Sequence, residues 1–93
     1  MEEKKRVHVI IKGKVQGVFF RVETKKAANA AGVLGWVRNR RDGAVEAIFE
    51  GEPERIERML AWCRTGSPFS RVDSVAEDWS PYLGEFSSFD ITY

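Results

Sequence analysis

The 93-residue chain is expected to fold as an α+β sandwich with two helices on one face of a mostly antiparallel sheet, and three observations predict this. Runs of period-two alternation occur near both ends and in the middle. Two stretches with the 3.6-residue period of a helix separate them. Asp42-Gly43 lies between two of the alternating runs, where it reads as a hairpin turn.

The first run, Arg6-Val7-His8-Val9-Ile10-Ile11-Lys12, places Val7, Val9 and Ile11 on one face and His8, Ile10 and Lys12 on the other, as a strand does. It leads into Gly13-Lys14-Val15-Gln16-Gly17-Val18-Phe19-Phe20-Arg21, a glycine-bearing loop that ends in a cation. After Arg21 the spacing becomes helical. Thr24, Ala27, Ala28 and Ala31 share a face, and their small size lets the helix lie close on a sheet. Gly32 is its natural stop.

A second strand is expected over Leu34–Arg40, with Val37 and Asn39 on one face and Trp36, Arg38 and Arg40 on the other. Across the turn, Ala44–Glu50 sets Val45, Ala47 and Phe49 against Glu46 and Glu50. Pro53 opens a second helix whose apolar stripe is Ile56, Met59, Leu60 and Cys63, and Gly66-Ser67-Pro68 closes it. Arg71–Trp79 reads as a strand in which Val72 and Val75 fall out of step, so a bend or bulge is expected. Phe89, Ile91 and Tyr93 alternate with Asp90 and Thr92 in a last short strand. The order βαββαβ, plus that short strand, is the ferredoxin-like arrangement. Right-handed crossovers are expected to make the first and third strands parallel neighbours at the centre.

Length predicts one domain, 1–93. With 43% hydrophobic and 31% charged residues the chain is of ordinary globular composition, and a net charge of +1 argues against a general nucleic-acid binder. No apolar run approaches the roughly 20 residues of a membrane span, and no signal-peptide core follows the charged start. The expectation is a cytoplasmic monomer that acts on small molecules, with no membrane or nucleic-acid partner. A lone cysteine excludes an internal disulfide, and Cys63 on the helical stripe reads as a buried small hydrophobe. His8 reads as a partly exposed strand residue, with no acid or metal partner in sight.

Two features carry chemistry. A glycine loop entering a helix can aim backbone N–H groups at an anion, and the positive end of the helix dipole adds to their pull. The Arg21 guanidinium can hold two oxygens of a phosphate or carboxylate at once. The spacing fits neither a nucleotide-phosphate loop nor a dinucleotide fingerprint, so an ordinary strand-to-helix connection is the plain alternative. Asn39 is poorly suited to a strand, and its plain alternative is the start of the hairpin turn.

Read together, GKVQGVFFR from Gly13 to Arg21 and GWVRNRRDGAVEAIFEG from Gly35 to Gly51 resemble the two signature stretches of acylphosphatase. That family consists of small ferredoxin-like enzymes that hydrolyse the carboxyl–phosphate bond of acyl phosphates. Gly66-Ser67-Pro68, Ser70-Arg71-Val72-Asp73 and Phe89-Asp90-Ile91 extend the resemblance over nearly the whole chain. It implies that Arg21 binds the phosphate and that the backbone of Val15, Gln16, Gly17, Val18, Phe19 and Phe20 cradles it. Asn39, by the same resemblance, positions the attacking water. Thr24 matches the family's usual threonine, whereas Arg40 stands where a small hydroxyl residue is common.

The implied chemistry is coherent. A carboxylate leaves without needing a proton, so no general acid is required, and catalysis rests on position and charge stabilisation. No cofactor is expected. With one histidine, and acidic residues scattered over surface faces, no metal-ligand cluster is visible and the reaction is expected to be metal-independent. Arg38, Arg40 and Arg41 either steer anionic substrates or form a solvated hairpin face. The competing class is a module that binds phosphate without turnover. An RNA-reading sheet would want stacked aromatics where Ala44–Glu50 offers only Phe49.

Overall fold

The computed structural model describes residues 3–93, and residues 1–2 of the expected domain lie outside it. The elements are β1 (Lys5–Lys14), α1 (Phe20–Ala31), β2 (Leu34–Asn39), β3 (Val45–Gly51), α2 (Pro53–Thr65), β4 (Arg71–Pro81) and β5 (Phe89–Ile91). They form the expected sandwich around one five-stranded sheet of order β4-β1-β3-β2-β5. The expected direction of the central pair is corrected, because β1 and β3 are antiparallel neighbours, with Val7 opposite Phe49 and Ile11 opposite Val45. The crossover through α1 sends β2 back in the direction of β1. The tight turn at Asp42-Gly43 then reverses the chain, so β3 enters between β1 and β2 antiparallel to both. Among the described residues the parallel pairing in the sheet is β2 with β5.

The faces expected to be apolar in the first three strands are the buried ones, whereas the last strand ends at Ile91 and leaves Tyr93 beyond it and exposed. Val7, Val9, Ile11, Val37, Val45, Ala47 and Phe49 form one cluster with the α2 stripe Ile56, Met59, Leu60 and Cys63. Each valine, leucine, isoleucine, phenylalanine or methionine among them contributes about 1.5–3 kcal/mol through burial, more than the helix propensities at stake, so the sheet dictates which faces the helices present. Phe49 stacks on Phe89 at 5.7 Å, which joins β5 to the core. Phe20, the first residue of α1, tilts against Trp62 of α2 at 5.4 Å and anchors the start of its helix. Burial pushes the Cys63 thiol up to about 12, as befits an inert small hydrophobe.

The irregularity expected in β4 is a bulge at Asp73. Pairing with β1 shifts between Lys12 opposite Ser74 and Gly13 opposite Val72, which leaves Asp73 without a partner position. Gly13 makes this possible: it has φ 136°, and a Cβ there would lie 2.1 Å from the Arg71 carbonyl oxygen. The bulge therefore needs a glycine across from it, just where β1 hands the chain to the loop.

The other sheet face departs from expectation. Glu46 and Glu50 are buried rather than on a surface face. Both lie on β3, a central strand, where long side chains from its neighbours fold over them. Arg6 meets Glu50 at 3.0 Å and Glu85 at 2.6 Å, while the Leu83 N–H donates to Glu50 Oε2 at 3.0 Å. His8, expected to lack an acidic partner, has one: its Nε2 lies 2.6 Å from Glu46 Oε2, and Arg38 Nε donates to Glu46 Oε1 at 2.7 Å. Burial alone would raise the Glu46 carboxyl, but the hydrogen bonds and charges of His8 and Arg38 outweigh it and hold the group below its ordinary value.

Candidate active site

The loop between β1 and α1 takes a conformation few residues tolerate. Gly17 has φ 71°, and Phe19 adopts the left-handed region at φ 60° and ψ 23°. For a phenylalanine that backbone costs roughly 1–3 kcal/mol, so the surroundings must hold it. Three ties are visible. Val15 and Phe20 bury their side chains in the core, the Ser67 hydroxyl donates to the Val18 carbonyl at 3.0 Å, and Gln16 reaches the hairpin. The Gln16 Nε2 donates to Arg40 O at 2.7 Å and Ala44 O at 2.9 Å, so both amide hydrogens fasten the loop to the turn that follows Asn39.

This geometry leaves a run of donors unpaired. Among the described residues, no N–H from Gln16 to Val22 donates to a backbone carbonyl, and the first that does is Glu23, to Phe19 O at 3.0 Å. No side chain caps the start of α1. Alternation of left-handed residues with their neighbours turns successive N–H groups towards a common side, which makes an anion-binding concavity at the positive end of a helix.

A cleft of about 290 Å³ opens over this run, lined by Val15, Gly17, Phe19, Phe20, Arg21, Val22, Asn39, Ile91 and Tyr93. Arg21, Asn39 and four of the six expected cradle residues thus meet, whereas Gln16 and Val18 do not line it. Arg21 is the second residue of α1, and its guanidinium carbon lies 5.2 Å from the centre of the Tyr93 ring. No carboxylate among the described residues forms an ion pair with it. Asn39 ends β2 on the face of Val37, and its Oδ1 is buried with no hydrogen-bond partner. A buried amide oxygen without a partner is uncommon, and this one belongs to a residue that lines the cleft.

The remaining residues named from sequence sort themselves. The Thr24 hydroxyl donates to Phe20 O at 2.7 Å within its own helix, so it steadies the first turn. Arg40 takes part through its backbone: its carbonyl accepts from Gln16, its N–H donates to Ala44 O at 2.8 Å, and its side chain pairs with Asp42 at 3.1 Å. A side-chain hydroxyl at position 40 is therefore not needed to tie the loop to the hairpin. The Ala44 N–H, then Arg40, holds the Asp42 carboxyl below its ordinary value. Arg38 is engaged with Glu46 and lies over Trp36 at 5.1 Å, which leaves Arg41 as the hairpin arginine without an ion pair among the described residues.

Five contributors escaped sequence reasoning: the Gln16 side chain, Val22, Ser67, Ile91 and Tyr93. Ser67 was visible only as part of a helix stop, and Tyr93 only as the last alternating residue. No cluster of three His, Cys, Asp or Glu side chains able to hold a metal occurs among the described residues. The cleft can bind an anion through backbone donors and one guanidinium while presenting a neutral amide to it.

Comparison with known proteins gives the family and supports the fold. A model of the acylphosphatase family matches residues 7–91. A protein of Pelotomaculum thermopropionicum named acylphosphatase is 51% identical over 88 residues, covering 95% of this chain and 96% of its own. Another so named, from Syntrophobacter fumaroxidans, is 50% identical over 98% of this chain and 94% of its own. The crystal structure of acylphosphatase from Bacillus subtilis superposes with a TM-score of 0.93 at 35% identity, covering 96% of this chain and 99% of that one.

Proposed function

The chain belongs to the acylphosphatase family, enzymes that hydrolyse acyl phosphates, and from that premise we propose how this hydrolase's own residues carry the reaction. The phosphoryl group sits against the unpaired N–H groups between Gln16 and Val22, within reach of the backbone from Val15 to Phe20, while Arg21 grips two of its oxygens. The Asn39 amide holds a water in line with the bond to be broken. The water's oxygen forms a new bond to phosphorus as the P–O bond to the acyl group breaks. The electron pair departs with the carboxylate, and the water's proton passes to a phosphoryl oxygen. The products are a carboxylate and inorganic phosphate.

Asparagine is too weak a base to take the proton, and a carboxylate needs none to leave, so the scheme uses neither a general acid nor a metal ion. We infer further that residues 1–93 fold as a single domain and that the protein is a cytoplasmic monomer. The observation that carries it is the unpaired N–H run opening beside an arginine free of any carboxylate partner among the described residues.

The test is release of phosphate from benzoyl phosphate after exhaustive chelation, run beside a simple alkyl phosphate. Hydrolysis of the acyl phosphate alone, unchanged by chelation, is expected. Comparable turnover of the alkyl ester would reveal an undetected acid, and strict need for magnesium or zinc would sink the scheme. Phosphate binding without turnover would favour the binding module.

A further inference from the structure

The pairing of β2 with β3 ends at Asn39 itself, opposite Val45. In the turn beyond it, Arg40 O and Ala44 O are bridged by one side-chain nitrogen, Gln16 Nε2, at 2.7 Å and 2.9 Å. Both acceptors are carbonyls, so only the donor end of the amide fits there. Gln16 thus adds a rung to the hairpin from outside, immediately after the residue whose amide faces the cleft. The other hydrogen bonds of the turn stay within it: Arg40 N–H to Ala44 O, Gly43 N–H to Arg40 O at 3.3 Å and Ala44 N–H to Asp42 Oδ1 at 3.1 Å. Among the described residues, the hydrogen bonds that join the β1–α1 loop to this turn are therefore the two from Gln16. The loop has other supports, in the burial of Val15 and Phe20 and in the bond from Ser67 to Val18 O. Asn39 has no partner at Oδ1, so its placement follows the hairpin backbone.

We propose that Gln16, which does not line the cleft, is a positioning residue for the reaction: it sets the spacing between the loop that holds the phosphoryl group and the Asn39 amide that holds the water. The inference rests on the roles proposed above for the loop and for Asn39. A water attacks productively only from about 3–3.5 Å and in line with the breaking bond, so a small shift of the hairpin is felt in the rate. Binding of phosphate needs no such alignment with the hairpin, because the unpaired N–H run and Arg21 lie on one continuous segment that keeps its other supports. Loss of the Gln16 amide should therefore appear in kcat and spare phosphate binding.

The experiment measures kcat on benzoyl phosphate and inhibition by inorganic phosphate at neutral pH. The proteins are the wild type, Gln16→Met, Gln16→Glu, Asn39→Ala and the double variant Gln16→Met with Asn39→Ala. Gln16 lies outside the core cluster, so its substitutions leave that cluster intact. Gln16→Met keeps the length of the side chain and removes the donors, and kcat should fall roughly ten- to a hundredfold. Inhibition by phosphate should stay within about threefold of wild type. Gln16→Glu keeps the shape but turns acceptors towards the two carbonyls, so its kcat should fall at least as far. In the Asn39→Ala background the same Gln16→Met change should lower kcat by no more than about threefold, because residues that act through one another are not additive. Losses that multiply in the double variant would mean that Gln16 acts independently of Asn39 and would overturn the inference. So would a parallel loss of phosphate affinity, which would place the effect in the loop, or near-normal kcat in Gln16→Glu. Normal turnover by Asn39→Ala, or an inactive wild type, would instead overturn the hydrolytic scheme, and the role of Gln16 with it.

Discussion

Arg21 and Asn39 reach one cleft from different elements, and each would act on a different partner in the reaction. Arg21 would touch the phosphoryl group both before and during transfer. Arg21→Gln is therefore expected to weaken phosphate binding and abolish measurable hydrolysis together. Asn39 would touch the water, so Asn39→Ala should bind inorganic phosphate normally while kcat falls about a hundredfold to a thousandfold. That matches the roughly 2.7–4 kcal/mol attached to one preorganised polar contact. Calorimetry with phosphate and turnover of benzoyl phosphate check the pair, and normal turnover by Asn39→Ala would return that residue to the hairpin. Both residues were legible in sequence through their motifs. The Gln16 side chain was not, because its acceptors are carbonyls 24 and 28 residues away, on which composition and periodicity are silent.

Among the elements, the junction of β1 and β4 bears most directly on the site, since it determines where the strand ends and the loop begins. Val72 and Val75 announced an irregularity, but which residue bulged, and against what, depended on the register with β1. Gly13→Ala should be costly because its Cβ would press on backbone at 2.1 Å, and the extended partner strand has no flexible group to yield. A loss of about 2 kcal/mol is expected, which for a domain of this size lowers Tm by roughly 8–16 °C. Gly43 has φ 91°, and a Cβ there would meet nothing within 4 Å, so Gly43→Asn should cost far less. Thermal unfolding followed by circular dichroism distinguishes the two, and equal losses would refute the steric argument.

For the whole molecule, the sheet face opposite the helices couples stability to acid. Glu46 is held below its ordinary value of 4.5 despite burial, by His8 and Arg38. A group depressed in the folded state stabilises fully above its unfolded pKa, and that contribution is lost as pH falls through the folded value. Wild type should therefore exceed Glu46→Gln in stability near pH 7, with the gap closing as pH drops below about 4.5. The exposed Asp42, also depressed, titrates in both proteins and cancels from the difference. Urea denaturation from pH 7 to pH 3 measures the gap, and a constant gap would mean that Glu46 is not held by its partners in this way.

What the sequence determined by itself is local and periodic: which stretches are strands or helices, which face each buries, and where a glycine loop meets Arg21. Those properties depend on neighbours within a turn or two of the chain. The direction of the central strand pair, burial of Glu46 and Glu50 and the acidic partner of His8 waited for the tertiary structure. So did the Ser67 tie to Val18, across 49 residues, and the approach of Tyr93 to Arg21. Each of these depends on which strand lies beside which, and sheet order is decided by burying all the apolar faces at once.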